Sequence, residues 1–114
     1  MSTPADTAAL PTGQDVAEFL GQGQDSTVLA LAAEHVPIVT AMARSYTRGN
    51  GFVTGMVADD IAAVITTATA RLVTNPAGTV SESPDASYSI RYGQFAGWTL
   101  AETFVLNRYR KRAQ

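Results

Sequence analysis

Trp98-Thr99-Leu100-Ala101-Glu102-Thr103-Phe104-Val105-Leu106-Asn107-Arg108-Tyr109-Arg110-Lys111-Arg112-Ala113-Gln114 is the stretch around which the chain is organised. Thr99 and Glu102 stand at capping-box spacing, in which each side chain satisfies a free backbone N–H at a helix start. After them Leu100, Ala101 and Phe104 fall on one stripe, with Val105 and Tyr109 alongside. The spacing predicts a helix over about 99–112. Arg108, Arg110, Lys111 and Arg112 crowd its last turn, where cations complement the negative end of the helix dipole. Two readings follow. One is a solvated, dipole-matched C-terminus. The other is a docking peg, an amphipathic stem with a basic tip that inserts into a partner.

Just upstream the helical pattern is absent. Tyr88, Ile90 and Tyr92 alternate with Ser89 and Arg91, a period of two. Thr79 to Ser83, with Val80 and Glu82, is a poorer partner strand, and Pro84-Asp85 supplies turn chemistry. Residues of about 77–93 therefore predict a two-stranded hairpin or a long projecting loop. A lone hairpin is marginal in water, so it is expected to lean on the helices or on a neighbouring subunit.

The remaining pattern is helical. Asp59 and Asp60 open a helix from about Ala58 to Thr74, stopped by Asn75-Pro76, with Ile61, Val64, Ile65, Ala68, Leu72 and Val73 facing inward. Its polar face, Thr66, Thr67, Thr69 and Arg71, is short and nearly uncharged, suited either to half-burial or to packing against another protein. Asp25 or Ser26 caps a longer helix running to about Arg48. Pro37 lies inside it and predicts a kink or two abutting helices. Gly49-Asn50-Gly51 stops it. Thr12 caps a short helix from about Gly13 to Leu20, with Val16, Phe19 and Leu20 on its buried side. Residues 1–12 read as a flexible arm or extended lead-in, and Phe52-Val53-Thr54-Gly55 as a short crossing segment. The fold class is mainly α: a single small bundle of about four helices over 13–114, with the hairpin or loop between the third and the C-terminal helix.

Composition narrows the function. The 114 residues hold 46% hydrophobic and 16% charged side chains, the balance of a globular chain. With no cysteine, disulfides, thiolate zinc sites and thiol nucleophiles are all removed. Gly21-Gln22-Gly23 has neither a preceding strand nor a following Lys-Ser/Thr, so a phosphate loop is not supported. The lone His35 has no partner at metal-ligand spacing, and adjacent Asp59 and Asp60 point about 100° apart on a helix. No catalytic residue, metal ligand, cofactor site or small-molecule site is expected. The mean hydropathy of +0.03 and the threonine-rich Ile61–Ala70 run, too short to cross a bilayer, argue against a membrane role. Met1 to Asp6 lacks the basic and apolar regions of a signal peptide, which reads as synthesis in the cytoplasm. Net charge is −2, but nine of ten acids fall in residues 1–90 and five of eight bases in 91–114. Such a chain meets different partners at its two ends.

Three segments together carry a family resemblance. The Asp59–Pro76 stretch, the Tyr88-Ser89-Ile90-Arg91-Tyr92 strand and the Gly97-Trp98-Thr99-Leu100-Ala101-Glu102 … Leu106-Asn107-Arg108-Tyr109-Arg110 run resemble, in order, the head-to-tail connector (adaptor) proteins of long-tailed phages of actinobacteria. Tyr46-Thr47-Arg48-Gly49-Asn50-Gly51-Phe52 fits as well, and the likeness spans roughly 13–112. What the resemblance implies is a structural virion protein, not an enzyme. It would form a dodecameric ring beneath the portal, extend the DNA channel, and offer a platform to the stopper and tail-completion proteins. Double-stranded DNA would pass through without sequence-specific binding. On this reading Trp98, Leu100, Phe104, Val105, Arg108, Tyr109, Arg110, Lys111 and Arg112 dock on the portal. Val80, Glu82, Tyr88, Ile90, Arg91 and Tyr92 serve a neighbouring subunit or the channel.

Two other classes stand beside it. One is a small helical interaction domain with no viral role. The other is a DNA-binding regulator anchored by the basic tail, against which the acidic bulk of the chain argues.

Overall fold

The computed structural model describes residues 7–74 and 97–110. The elements are β1 (Thr7–Ala9), α1 (Gly13–Phe19), α2 (Ser26–Thr47), β2 (Phe52–Val53), β3 (Met56–Ala58), α3 (Asp59–Thr74) and α4 (Leu100–Asn107). The protein is mainly α, and among the described residues it is a small bundle of four helices with a three-stranded sheet. The expected hairpin at about 77–93, with Val80, Glu82, Tyr88, Ile90, Arg91 and Tyr92, lies outside the described residues.

Local chemistry sets most helix boundaries. Thr12 caps α1 in a reciprocal box with Asp15. Asp25 caps α2, its Oδ1 accepting from the N–H groups of Thr27 and Val28. α2 ends at Arg48, which adopts the left-handed conformation at φ 60°, and the N–H of Gly49 reaches back to the carbonyl of Arg44. Pro37 does not divide α2, which is one helix from Ser26 to Thr47. The proline is exposed, so its ring stands away from the packed side.

Two expectations are corrected at the sheet. The Phe52–Gly55 segment is not a simple crossing: β2 pairs antiparallel with β3, Phe52 opposite Val57 and Val53 opposite Met56. The end of the N-terminal lead-in is a strand as well. β1 adds to the other edge of β3, with Thr7 opposite Ala58 and Ala9 opposite Met56. Strands of two and three residues are too short for a period-two pattern to be read.

α2 lies against α1 and α3, and the core divides along it. Val39 and Ala43 of α2 join Val57, Ile61, Ile65, Ala68 and Leu106 in the larger cluster. Ala32 and Val36 join Val16, Ala70 and Val73 in the smaller one. α2 is long and apolar enough to cross a bilayer, with mean hydropathy 1.4 over 18 residues. It is a longer apolar run than Ile61–Ala70. Core helices of globular domains meet the same test; 22% of this window is buried, along a stripe from Ala32 to Thr47.

Close packing depends on two glycines. A Cβ on Gly13 would stand 2.9 Å from the Cα of Ala33, so α1 approaches α2 backbone to backbone. Gly51, at φ 87°, would place a Cβ 2.5 Å from Cδ1 of Ile61 and 3.1 Å from the ring of Tyr109. Against this tight packing, the hydroxyls of Thr40 and Thr69 are buried without a hydrogen-bond partner among the described residues. A buried hydroxyl in that state costs stability. Thr69→Val is therefore expected to raise the unfolding free energy by about 1 kcal/mol. Gly13→Val is expected to lower it by about 1–3 kcal/mol through overpacking. Both would be read from urea midpoints at unchanged slope.

Candidate docking surface

The candidate surface is α4 with the turn that follows it, and Glu102 fixes its setting. The start is the predicted capping box: the N–H of Glu102 donates to Thr99 Oγ1 at 3.1 Å, and Glu102 Oε1 accepts from the N–H of Thr99 at 2.9 Å. The carboxylate does more than cap. Arg71 of α3 grips it with both terminal nitrogens, at 2.9 Å to Oε2 and 3.0 Å to Oε1. Thr67 donates its hydroxyl to Oε2 at 2.6 Å. Arg71 also donates to the carbonyl of Gly97 at 3.0 Å, which holds the chain just ahead of the helix. The Glu102 side chain is 7% exposed and that of Arg71 39%. Burial pushes the Glu102 carboxyl up. The bonds from Arg71, Thr67 and Thr99, with the Arg71 charge, outweigh it and hold the pKa below the ordinary 4.5.

One turn on, Leu106 is fully buried in the larger core cluster. Glu102 and Leu106 thus make the inner edge of α4. The stripe of Leu100 and Phe104 lies on the outer side, 71% and 65% exposed. Of the two readings of the polar face of α3, half-burial holds: the chain's own last helix takes it through Thr67 and Arg71. Thr69, assigned to that face, is fully buried.

The helix is also shorter than expected. It ends at Asn107, and Arg108, Tyr109 and Arg110 follow in a turn of i→i−3 backbone bonds. Side chains pull the chain off the helical path. Tyr109 donates its hydroxyl to Asp60 at 2.8 Å, and its carbonyl accepts from Asn50 Nδ2 at 2.8 Å. Asn107 accepts from the Tyr46 hydroxyl at 2.7 Å. Arg108 pairs with Asp60 at 3.3 Å, and the Arg110 guanidinium lies 5.0 Å from the centre of the Tyr46 ring.

The predicted docking residues therefore divide. Leu100 and Phe104 face outward. Trp98, Val105 and Tyr109 pack against the larger core cluster. Arg108 and Arg110 are exposed but tied to the body, and Lys111 and Arg112 lie outside the described residues. Sequence reading missed the partners that place this surface: Tyr46, Asn50, Asp60, Thr67 and Arg71. Their only signal was an arginine on an otherwise uncharged helix face, opposite a capping-box glutamate.

The clasp gives a signed pH dependence. A carboxyl whose pKa is lowered on folding adds stability at pH values above its unfolded pKa. That contribution is lost as the pH falls through the folded value. Glu102→Gln is expected to lower stability at neutral pH by about 1–3 kcal/mol. The gap to the parent protein should narrow below the ordinary glutamate value of 4.5, as read from urea melts at stepped pH. Protein-family models, curated proteins and solved structures alike offer no match to this chain.

Proposed function

We propose that the chain is a head-to-tail adaptor of a phage virion, a structural protein that assembles as a ring beneath the portal. The ordered resemblance of its segments to connector proteins supports this reading. The observation that carries it is the setting of α4. A helix locked on its inner edge by Glu102 and Leu106 holds Leu100 and Phe104 outward, 71% and 65% exposed, with arginines at its end. That is the geometry of a rigid peg with an apolar contact face, the arrangement in which few side chains carry most of an interface.

The role is assembly without turnover. Each subunit contributes a small contact, and a closed ring makes many such contacts act together. The stopper or tail-completion protein would meet the same ring, and genomic DNA would pass through its lumen. Net negative charge suits passage, since strong basic lining would hold the phosphates. The protein would be made in the host cytoplasm and end at the head–tail interface of the virion.

The test uses portal rings encoded by the same genome and native mass spectrometry. The parent protein is expected to add in about twelve copies per portal ring. Leu100→Ser combined with Phe104→Ser, changing only outward side chains, is expected to weaken addition about tenfold or more while leaving the thermal melt unchanged. Failure of the parent protein to bind would return the chain to the class of small helical interaction domains.

A further inference from the structure

Folding turns the uneven charge of the sequence into a separation in space. α1 folds back on the first half of α2, with Gly13 against the backbone of Ala33. Phe19 and the turn up to Asp25 therefore lie at the N-terminal end of α2. Residues 7–43 contain Asp15, Glu18, Asp25 and Glu34 and no lysine or arginine. All four acids are exposed, and Phe19, expected on the buried side of α1 where Val16 and Ala17 lie instead, stands beside Glu18 at 59% exposure. The opposite end of α2 is about 33 Å away, at 1.5 Å per residue. It carries Arg44 and Arg48, and the terminal turn brings Arg110 to it over Tyr46. Arg44 lies 4.9 Å from the centre of the Phe52 ring, and Val53 projects from the same strand at 65% exposure.

Neither end is neutralised from within. The ion pairs among the described residues are Arg71–Glu102 and Arg108–Asp60. Glu18 and Asp25 at the N-terminal end of α2, with Asp15 and Glu34 farther along it, and Arg44, Arg48 and Arg110 at the other end have no ion-pair partner among the described residues. The exposed Asp59 also lies at the second end, beside Asp60, and leaves that end with a net positive charge. Each end thus joins a net charge to an exposed apolar side chain, and the two ends are complementary to each other. A two-fold pairing with α2 antiparallel also brings unlike ends together, but it closes on itself as a dimer, and the ring reading selects against it. A head-to-tail contact brings unlike ends together, and contacts of that kind generate rings when the rotation closes.

We propose that the occupant of each end is a second copy of this chain. The Phe19–Glu18 end of one copy docks on the Arg44–Val53 end of the next. The inference rests on the ring reading above and assigns the surfaces that build the ring. Exposed ion pairs are individually weak and screened by salt. The contact is therefore weak in the free protein and salt-sensitive.

The test is a charge exchange that leaves both N-caps untouched. Glu18→Lys and Arg44→Glu are made separately in the full chain, with circular dichroism and melting curves confirming the fold. Self-association is followed by sedimentation at high protein concentration and low salt. Parent protein is expected to form oligomers larger than a dimer, a dimer alone overturning the head-to-tail assignment, and each variant alone to associate about tenfold more weakly. An equal mixture of the two variants is expected to recover the parent level. Recovery on mixing excludes misfolding of either variant as the cause. Variants that associate as well as the parent, or a mixture that fails to recover, would overturn the assignment. So would parent protein that stays monomeric under these conditions. The portal experiment separates the two ideas. Full rings from both variants on the portal would sink these surfaces and leave the adaptor reading standing, whereas no addition of parent protein would sink the adaptor reading itself.

Discussion

One carboxylate governs how the chain closes. Glu102 is almost fully buried, and it is accepted into the fold because its oxygens meet both terminal nitrogens of Arg71, the Thr67 hydroxyl and the Thr99 N–H. A charge left unpaired there would be strongly destabilising. The same residue both starts α4 and anchors it to α3. Start and rotation of the helix are therefore set by a single side chain. Once Glu102 is seated, Leu106 one turn later must enter the core, and Leu100 and Phe104 must face away from it. The outward apolar pair is a consequence of the inward polar clasp.

The other end of α4 is held by a different device. Tyr109 fits only because Gly51 has no Cβ, and its hydroxyl and carbonyl are fixed by Asp60 and Asn50. The Gly49-Asn50-Gly51 stop of α2 thus has two duties. It ends one helix in the left-handed region and clears the ground on which the last turn rests. Asp60, read from the sequence as one of two acids that open α3, serves as the anchor for both Tyr109 and Arg108. The attachments of α4 are thus largely polar and directional, which suits an element whose orientation matters more than its buried area.

The sequence made the helices legible because their signals are local. Thr12 with Asp15, Asp25, and Thr99 with Glu102 mark starts that the folded chain uses as written. The 3.6-residue period of Ile61, Val64, Ile65, Ala68 and Leu72 marks the face that is buried. The sheet was not legible, since its strands are too short to alternate and β1 meets β3 across some fifty positions, while β2 and β3 are local neighbours. The stripe of α4 was legible as a row of apolar residues, but not which side of the helix it faces. A charge that finds four hydrogen bonds can take the inner side in place of an apolar pair, and nothing within the helix announces that Arg71 will be there to supply two of them. For the polar face of α3 the sequence left half-burial and a protein contact open, because the partner that settles it comes from the far end of the chain.

Charge placement follows a consistent logic. Acids and bases that stabilise the fold are paired across elements, as Arg71 with Glu102 and Arg108 with Asp60. Among the described residues those left over are acidic along the first half of α2 and, Asp59 apart, basic at its far end. A chain selected only for solubility would intersperse them, because mixed surfaces avoid fields of one sign. Segregation of this kind raises the electrostatic energy of the isolated molecule, and that energy is recovered when unlike ends meet. A long, nearly uncharged α2 is what keeps the two patches apart. Its apolar surface, Pro37 within it, and the small residues at its crossing with α1 allow a rigid spacer to be built without charges that would blur the separation. α4 is held by its own polar contacts to α3, so its outward pair Leu100 and Phe104 and the charged ends of α2 rest on different residues and can be altered independently.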